Sequence, residues 1–157
     1  MIRSRGQSVL YAVLLMPTFI LVFALAVDMT SLQMQKLRLR YAVDLATVAA
    51  ATAVDERYYS QTGRLRLDPA LATATTRDFL MRNLTGMPGI PEPAQVAATA
   101  DVSIINQTPA ADPYTRAYLD RPAVCARIRV PYRFLLLGWI GLRVVDVTVA
   151  ANAEIRT

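Results

Sequence analysis

Between Gly6 and Asp28 the chain carries no charge, and residues 9–27 are apolar apart from Thr18 and the phenol of Tyr11. As an α-helix that run spans about 28 Å, close to the hydrocarbon thickness of a bilayer. Pro17 falls inside it. Membrane helices tolerate proline because neighbouring groups re-satisfy the freed carbonyl, so the pattern predicts a kink and not a break. Past Asp28 the helical period persists but turns amphipathic. Met34, Leu37, Tyr41, Leu45 and Val48 follow one another three or four residues apart, the spacing of an apolar stripe. A second line, Ala42, Ala46, Ala49, Ala50 and Ala53, is made of small residues, which either let another backbone approach closely or simply favour the helix. Lys36, Arg38 and Arg40 suit a solvated or headgroup-facing collar just beyond the membrane. The helix is expected to run over residues 7–57, with the stem at 9–27, and to fade between Asp55 and Ser60.

The rest of the chain, residues 58–157, reads as a head. Gln61, Thr62 and Gly63 mark a turn. Asp68 and Pro69 make an N-cap and first-turn pair that opens a second helix, with Leu71, Thr75, Phe79 and part of Met81 to Leu84 on its buried side and Gly86 as its stop. The proline-rich MPGIPEP is a linker. The period then switches to two. Val96, Ala98, Ala100, Val102 and Ile104 predict a strand; residues 108–122 form an irregular loop. Val124, Ala126, Ile128 and Val130 predict a second strand, with Cys125 on its arginine face and Pro131 ending it or placing it at an edge. Val145, Val147, Val149 and Ala151 predict a third. Between the last two lies the uncharged FLLLGWIGL, too short to span a bilayer as a helix. It reads as a core segment, a subunit contact through Phe134, Leu136, Trp139 and Ile140, or a loop dipping into the membrane surface, with core or subunit contact preferred. The fold class that follows is α+β: a long N-terminal transmembrane and amphipathic helix packed on a small antiparallel sheet.

Composition narrows the chemistry. The chain has no histidine and one cysteine, Cys125, which removes histidine-based catalysis, most zinc sites and any internal disulfide. The lone thiol reads as a small half-buried residue. The carboxylates are scattered, and there is no phosphate loop or nucleophile elbow. No catalytic, cofactor or metal site is therefore expected, and the chain is read as no enzyme. The formal charge of +5 comes from dispersed arginines, not from a nucleic-acid footprint. Asn83-Leu84-Thr85 and Asn106-Gln107-Thr108 match the glycosylation pattern, which matters only in a host that modifies exported proteins. Arg3 and Arg5 precede the apolar run, so the positive-inside bias puts the N-terminus in the cytoplasm and the head outside. Ala24 and Ala26 leave signal cleavage within FALAVDM as an alternative.

A basic leader closing on Gly6, followed by Gln7 and an apolar helix, resembles the class III signal of type IV pilins. The closer resemblance is to the TadE/TadG-like proteins of tight-adherence (Flp) pilus systems. Counted from Gln7, Pro17 stands at the eleventh position, where that family usually carries a proline. Val27-Asp28 closes the apolar run in the same way. Leu39, Ala42, Asp44, Ala46, Ala49 and Ala51 match its Ala-rich block, and residues 134–155 resemble its C-terminal pattern. The resemblance implies a pilin-like structural or assembly subunit, minor or major, held in the inner membrane until assembly and packing with other pilin-like subunits through Tyr11, Pro17, Asp28, Leu37, Tyr41, Ala42, Asp44, Leu45, Ala46, Ala49, Ala50 and Ala53. It implies a pilus assembly platform as partner, a surface filament serving adhesion or secretion, and a prepilin peptidase cutting between Gly6 and Gln7. Many members carry glutamate at the fifth mature position; here Tyr11 stands there, and an uncleaved TadG-like anchor is the alternative. The other reading is a bitopic envelope protein whose head binds a ligand without forming a filament.

Overall fold

The computed structural model describes residues 4–141 and 143–155, with the side chains of residues 4–10 and of Ile140 outside that description. One helix dominates it. α1, Ser4–Ala50, runs unbroken through Pro17 and is about 70 Å long at 1.5 Å per residue. Its membrane-length part stands free of the head: every side chain from Tyr11 to Phe23 is exposed, and none of them is charged.

The head gathers on the other half of the helix. α1 tightens into i→i−3 hydrogen bonds at Thr52 and Ala53, so the helix ends short of residue 57. Asp55 then caps a new short helix, α2 (Glu56–Thr62), its Oδ1 accepting from the Tyr58 N–H at 3.0 Å, and Gly63 closes it with φ near +67°. Asp68 caps α3 (Pro69–Leu84) by accepting from the N–H groups of Ala70 and Leu71, and Gly86 follows with φ near +80°, as the sequence predicts. The buried side of α3, however, is Ala72, Thr76, Leu80 and Leu84; Leu71 and Phe79 are exposed. The reason is proximity. Small residues at 72 and 76 let α3 lie close against α1, and the Thr76 hydroxyl is satisfied by donating to the Ala72 carbonyl at 2.8 Å.

The expected strand from residue 96 is half helix. Pro93 opens the turn α4 (Pro93–Ala98), which buries Ala97, and only Asp101–Ile105 is extended, as β1. The loop expected at 108–122 contains a minimal pair, β2 (Ala110–Ala111) and β3 (Tyr118–Leu119). β4 (Ala123–Arg133) and β5 (Val144–Glu154) are antiparallel over their whole length, and β1 adds to the other side of β4, giving the order β1-β4-β5. Because β1 pairs only with residues 123–127 of β4, Pro131 lies where that side of β4 has no strand partner, so its missing N–H breaks no ladder. The inner sheet face, Ala126, Ile128, Val130, Tyr132, Val147, Val149 and Ala151, packs against Leu39, Ala42, Val43 and Ala46 of α1 and Leu80 and Leu84 of α3. The architecture is the expected α+β arrangement of a long apolar helix on a small antiparallel sheet.

Candidate functional site

Two features of α1 bear on function: the way its two faces are used, and what happens where the apolar stem ends. The small residues Ala42, Ala46, Ala50 and Ala53 are buried, and they are buried inside this chain, against its own sheet and α3. The larger stripe of Met34, Leu37, Tyr41, Leu45 and Val48 faces outward and is about half exposed throughout, between 50% and 64%. Sequence periodicity locates both lines; in the structure the small-residue line turns inward and the large stripe outward. Small alanines let the Val- and Ile-rich sheet face approach the helix backbone closely. The stripe continues the outward surface of the stem, where Tyr11 and Pro17 are also exposed. Asp44 and Ala49 are half-buried, and Asp44 lies 3.9 Å from Arg40 in an exposed i,i+4 pair that contributes little. Lys36, Arg38 and Arg40 are all exposed, as a collar requires.

At the stem's end, Asp28 is fully buried. Its Oδ1 accepts from the Leu135 N–H at 3.0 Å, and its Oδ2 from the N–H groups of Leu136 and Leu137 at 3.0 and 2.6 Å. A carboxylate holding three consecutive backbone donors is a charge-assisted latch, and it fixes the loop between β4 and β5 to one spot on α1. The latch divides FLLLGWIGL. Leu137 is buried, and Phe134 packs half-buried on the core with its ring edge-on to Tyr132 at 5.5 Å. Leu135, Leu136 and Trp139 are exposed. Gly6, Gln7 and Ile140 lie outside the described side chains. Beside the latch is an open groove of about 820 Å³, lined in part by Thr30, Ser31, Gln35 and Arg38 of α1, by Gly89 and Ile90 of the linker, and by Arg133 and Leu135.

Residues 6–53 match the putative Flp pilus-assembly TadE/G-like family. The match covers the stem, Asp28 and the amphipathic half of α1, and stops as the helix gives way to the head. No curated protein and no solved structure matches the chain. The resemblance to a pilus-assembly family is thus confined to the N-terminal end, in a helix that among the described residues is the one long and apolar enough to cross a membrane. Among the described residues no three His, Cys, Asp or Glu side chains converge as a metal site.

Sequence reasoning missed a polar knot on the outer sheet face. Asp112, almost fully buried, accepts from the Tyr114 N–H at 2.8 Å, from the Thr115 hydroxyl, and from Asn152 Nδ2 at 2.6 Å. Burial is the largest single influence and raises its pKa, but the donated hydrogen bonds together outweigh it and leave the carboxyl below its usual value. The run Asp112-Pro113-Tyr114-Thr115 was the available signal, an Asp-initiated turn followed by a hydroxyl. Cys125 lies beside this knot and is fully buried, not half-buried; burial first, then the charge of Asp112, pushes its thiol up to about 12. Next to it Arg127 pairs with Asp101 at 2.7 Å and lies over the Tyr114 ring at 4.8 Å. Of the two glycosylation-pattern asparagines, Asn106 donates from Nδ2 to the Leu67 carbonyl at 3.0 Å, and Asn83 Nδ2 is buried without a hydrogen-bond partner.

Proposed function

We propose that this chain is a pilin-like structural subunit of a Tad-type pilus, anchored in the inner membrane by residues 9–27 and joined to other subunits along the outward face of α1. The observation that carries the reading is the division of labour on that helix. Its small residues serve the chain's own head, while a large apolar stripe, in the very segment that matches the TadE/G-like family, is left without a partner. A stripe of Leu, Tyr, Met and Val facing water would be costly, and a neighbouring helix removes it from water at roughly 25 cal/mol per Å² of apolar surface buried. The stem stays in an apolar setting both in lipid and among other stems, so transfer to a filament need not expose it. Arg3 and Arg5 favour a cytoplasmic N-terminus, with the head outside the inner membrane. A prepilin peptidase acting between Gly6 and Gln7 and a pilus assembly platform are the partners this role requires.

Fibres sheared from cells test it. They are expected to contain this chain, and its intact mass to lack MIRSRG; a chain found only in membranes would overturn the filament reading. The groove beside Asp28 favours a second reading, in which a membrane-bound head binds a ligand, and that reading predicts the membrane-only result.

A further inference from the structure

We propose that the loop at residues 134–141 is a second membrane contact: Asp28 holds it at the level where the stem leaves the bilayer, so that Leu135, Leu136 and Trp139 enter the headgroup region of that leaflet. The inference rests on the stem being the membrane anchor proposed above.

Placement comes first. Helix side chains tilt toward the helix N-terminus, so the Asp28 carboxylate covers the turn before its own Cα, which is the last turn of the apolar run. The burial pattern agrees. Ala24 and Val27 are half-buried among residues 11–27, which are otherwise exposed, and they share a face with Asp28 and the half-buried Ser31. The loop therefore lies against the final turn of the stem, not farther up the head.

Chemistry comes second. With Asp28 occupying the loop's backbone N–H groups, the side chains that remain outward are two leucines and an indole, Leu135 at 66% and Trp139 at 94% exposure. Tryptophan is enriched at bilayer interfaces, where its ring is half immersed and its N–H stays hydrated. The flanking charges are positive and exposed: Arg133 before the loop, Arg143 after it, and Arg38 across the groove that Leu135 also lines. Anionic lipid phosphates complement them, and an apolar tip with a basic rim is the pattern of an interfacial anchor. Two membrane contacts on one rigid body would fix the tilt of the head over the bilayer, where a single stem leaves it free to rotate.

Trp139 is the chain's one tryptophan, so the test has a built-in probe. The full chain is reconstituted in phosphatidylglycerol-containing vesicles, and Trp139 emission is read against acrylamide in the water and against lipids brominated at shallow or deep acyl positions. The expected result is blue-shifted emission, strong quenching by shallow-brominated lipid, weaker quenching by deep-brominated lipid and protection from acrylamide. Asp28→Asn should lose the lipid quenching, and Leu135→Ser with Leu136→Ser, both surface changes, should weaken it with the circular dichroism unchanged. Vesicle flotation and carbonate extraction separate the two claims. A chain that fails to stay with the vesicles overturns the anchor and this inference together. A chain that stays while Trp139 remains open to acrylamide overturns only the loop contact. Shielding that grows with protein-to-lipid ratio and ignores brominated lipid assigns the loop to a subunit contact and also overturns it.

Discussion

Asp112 and Asp28 are two buried carboxylates held by donated hydrogen bonds, Asp112 from its own turn and from Asn152 of β5, Asp28 from the backbone of the loop after β4. For Asp112 the consequence is a dependence on pH. Its pKa is depressed in the folded chain, so its contribution is complete above the ordinary carboxyl value, about 3.9, and is lost as pH falls through the lower folded value. Thermal unfolding of the chain in micelles should therefore weaken below about pH 4. Asp112→Asn should flatten that dependence, and Asp112→Ala should cost about 1–3 kcal/mol at neutral pH by leaving the Tyr114 N–H and the Thr115 hydroxyl without their acceptor. An unchanged acid profile in Asp112→Asn would place the acid sensitivity elsewhere. Cys125 makes the complementary case. Fully buried, with its thiol held up at about 12, it should not react with a thiol reagent in the folded chain and should react fully in denaturant. A disulfide-linked dimer on a non-reducing gel would contradict that.

Within α1, the prediction is one of contrast between adjacent residues. Ala46 faces the sheet with no exposed surface, and Leu45 beside it faces out. Ala46→Leu should overpack the head and lower stability by about 1–3 kcal/mol. Leu45→Ala should change monomer stability by less than about 0.5 kcal/mol and weaken association between subunits. Thermal melting and analytical ultracentrifugation in the same detergent separate the two. The contrast also shows what the sequence could and could not say. The stem, the Pro17-containing helix, the Asp68 cap and the alternation of β4 and β5 were legible because each follows from local period or capping chemistry. Which face of α1 turns inward was not, since periodicity finds faces but not their partners. The same limit rotated α3, where Ala72 and Thr76 are buried in place of Leu71 and Phe79, and it hid α4, whose Ala-rich run alternates as a strand would. The latch was half legible. Asp28 closing an apolar run signals a need for a partner; that the partner is the backbone at 135–137, more than a hundred residues on, depends on the antiparallel pairing that delivers the loop there.

At the scale of the whole molecule, the chain is a membrane-length stem, a helix shared between stem and head, and a small sheet whose far loop returns to the stem's end. The TadE/G-like match falls on the stem and the shared helix, and the head lies outside it. The central claim is that the outward stripe of the shared helix is a subunit interface. A photo-activatable amino acid placed at Leu45 in living cells tests it most directly, with Val43, buried against the chain's own core, as the control. The account predicts that Leu45 yields cross-links to a second copy of this chain or to another pilin-like subunit, while Val43 yields only internal ones. Leu45 giving no cross-link to another protein, in cells that assemble the pilus, would contradict it.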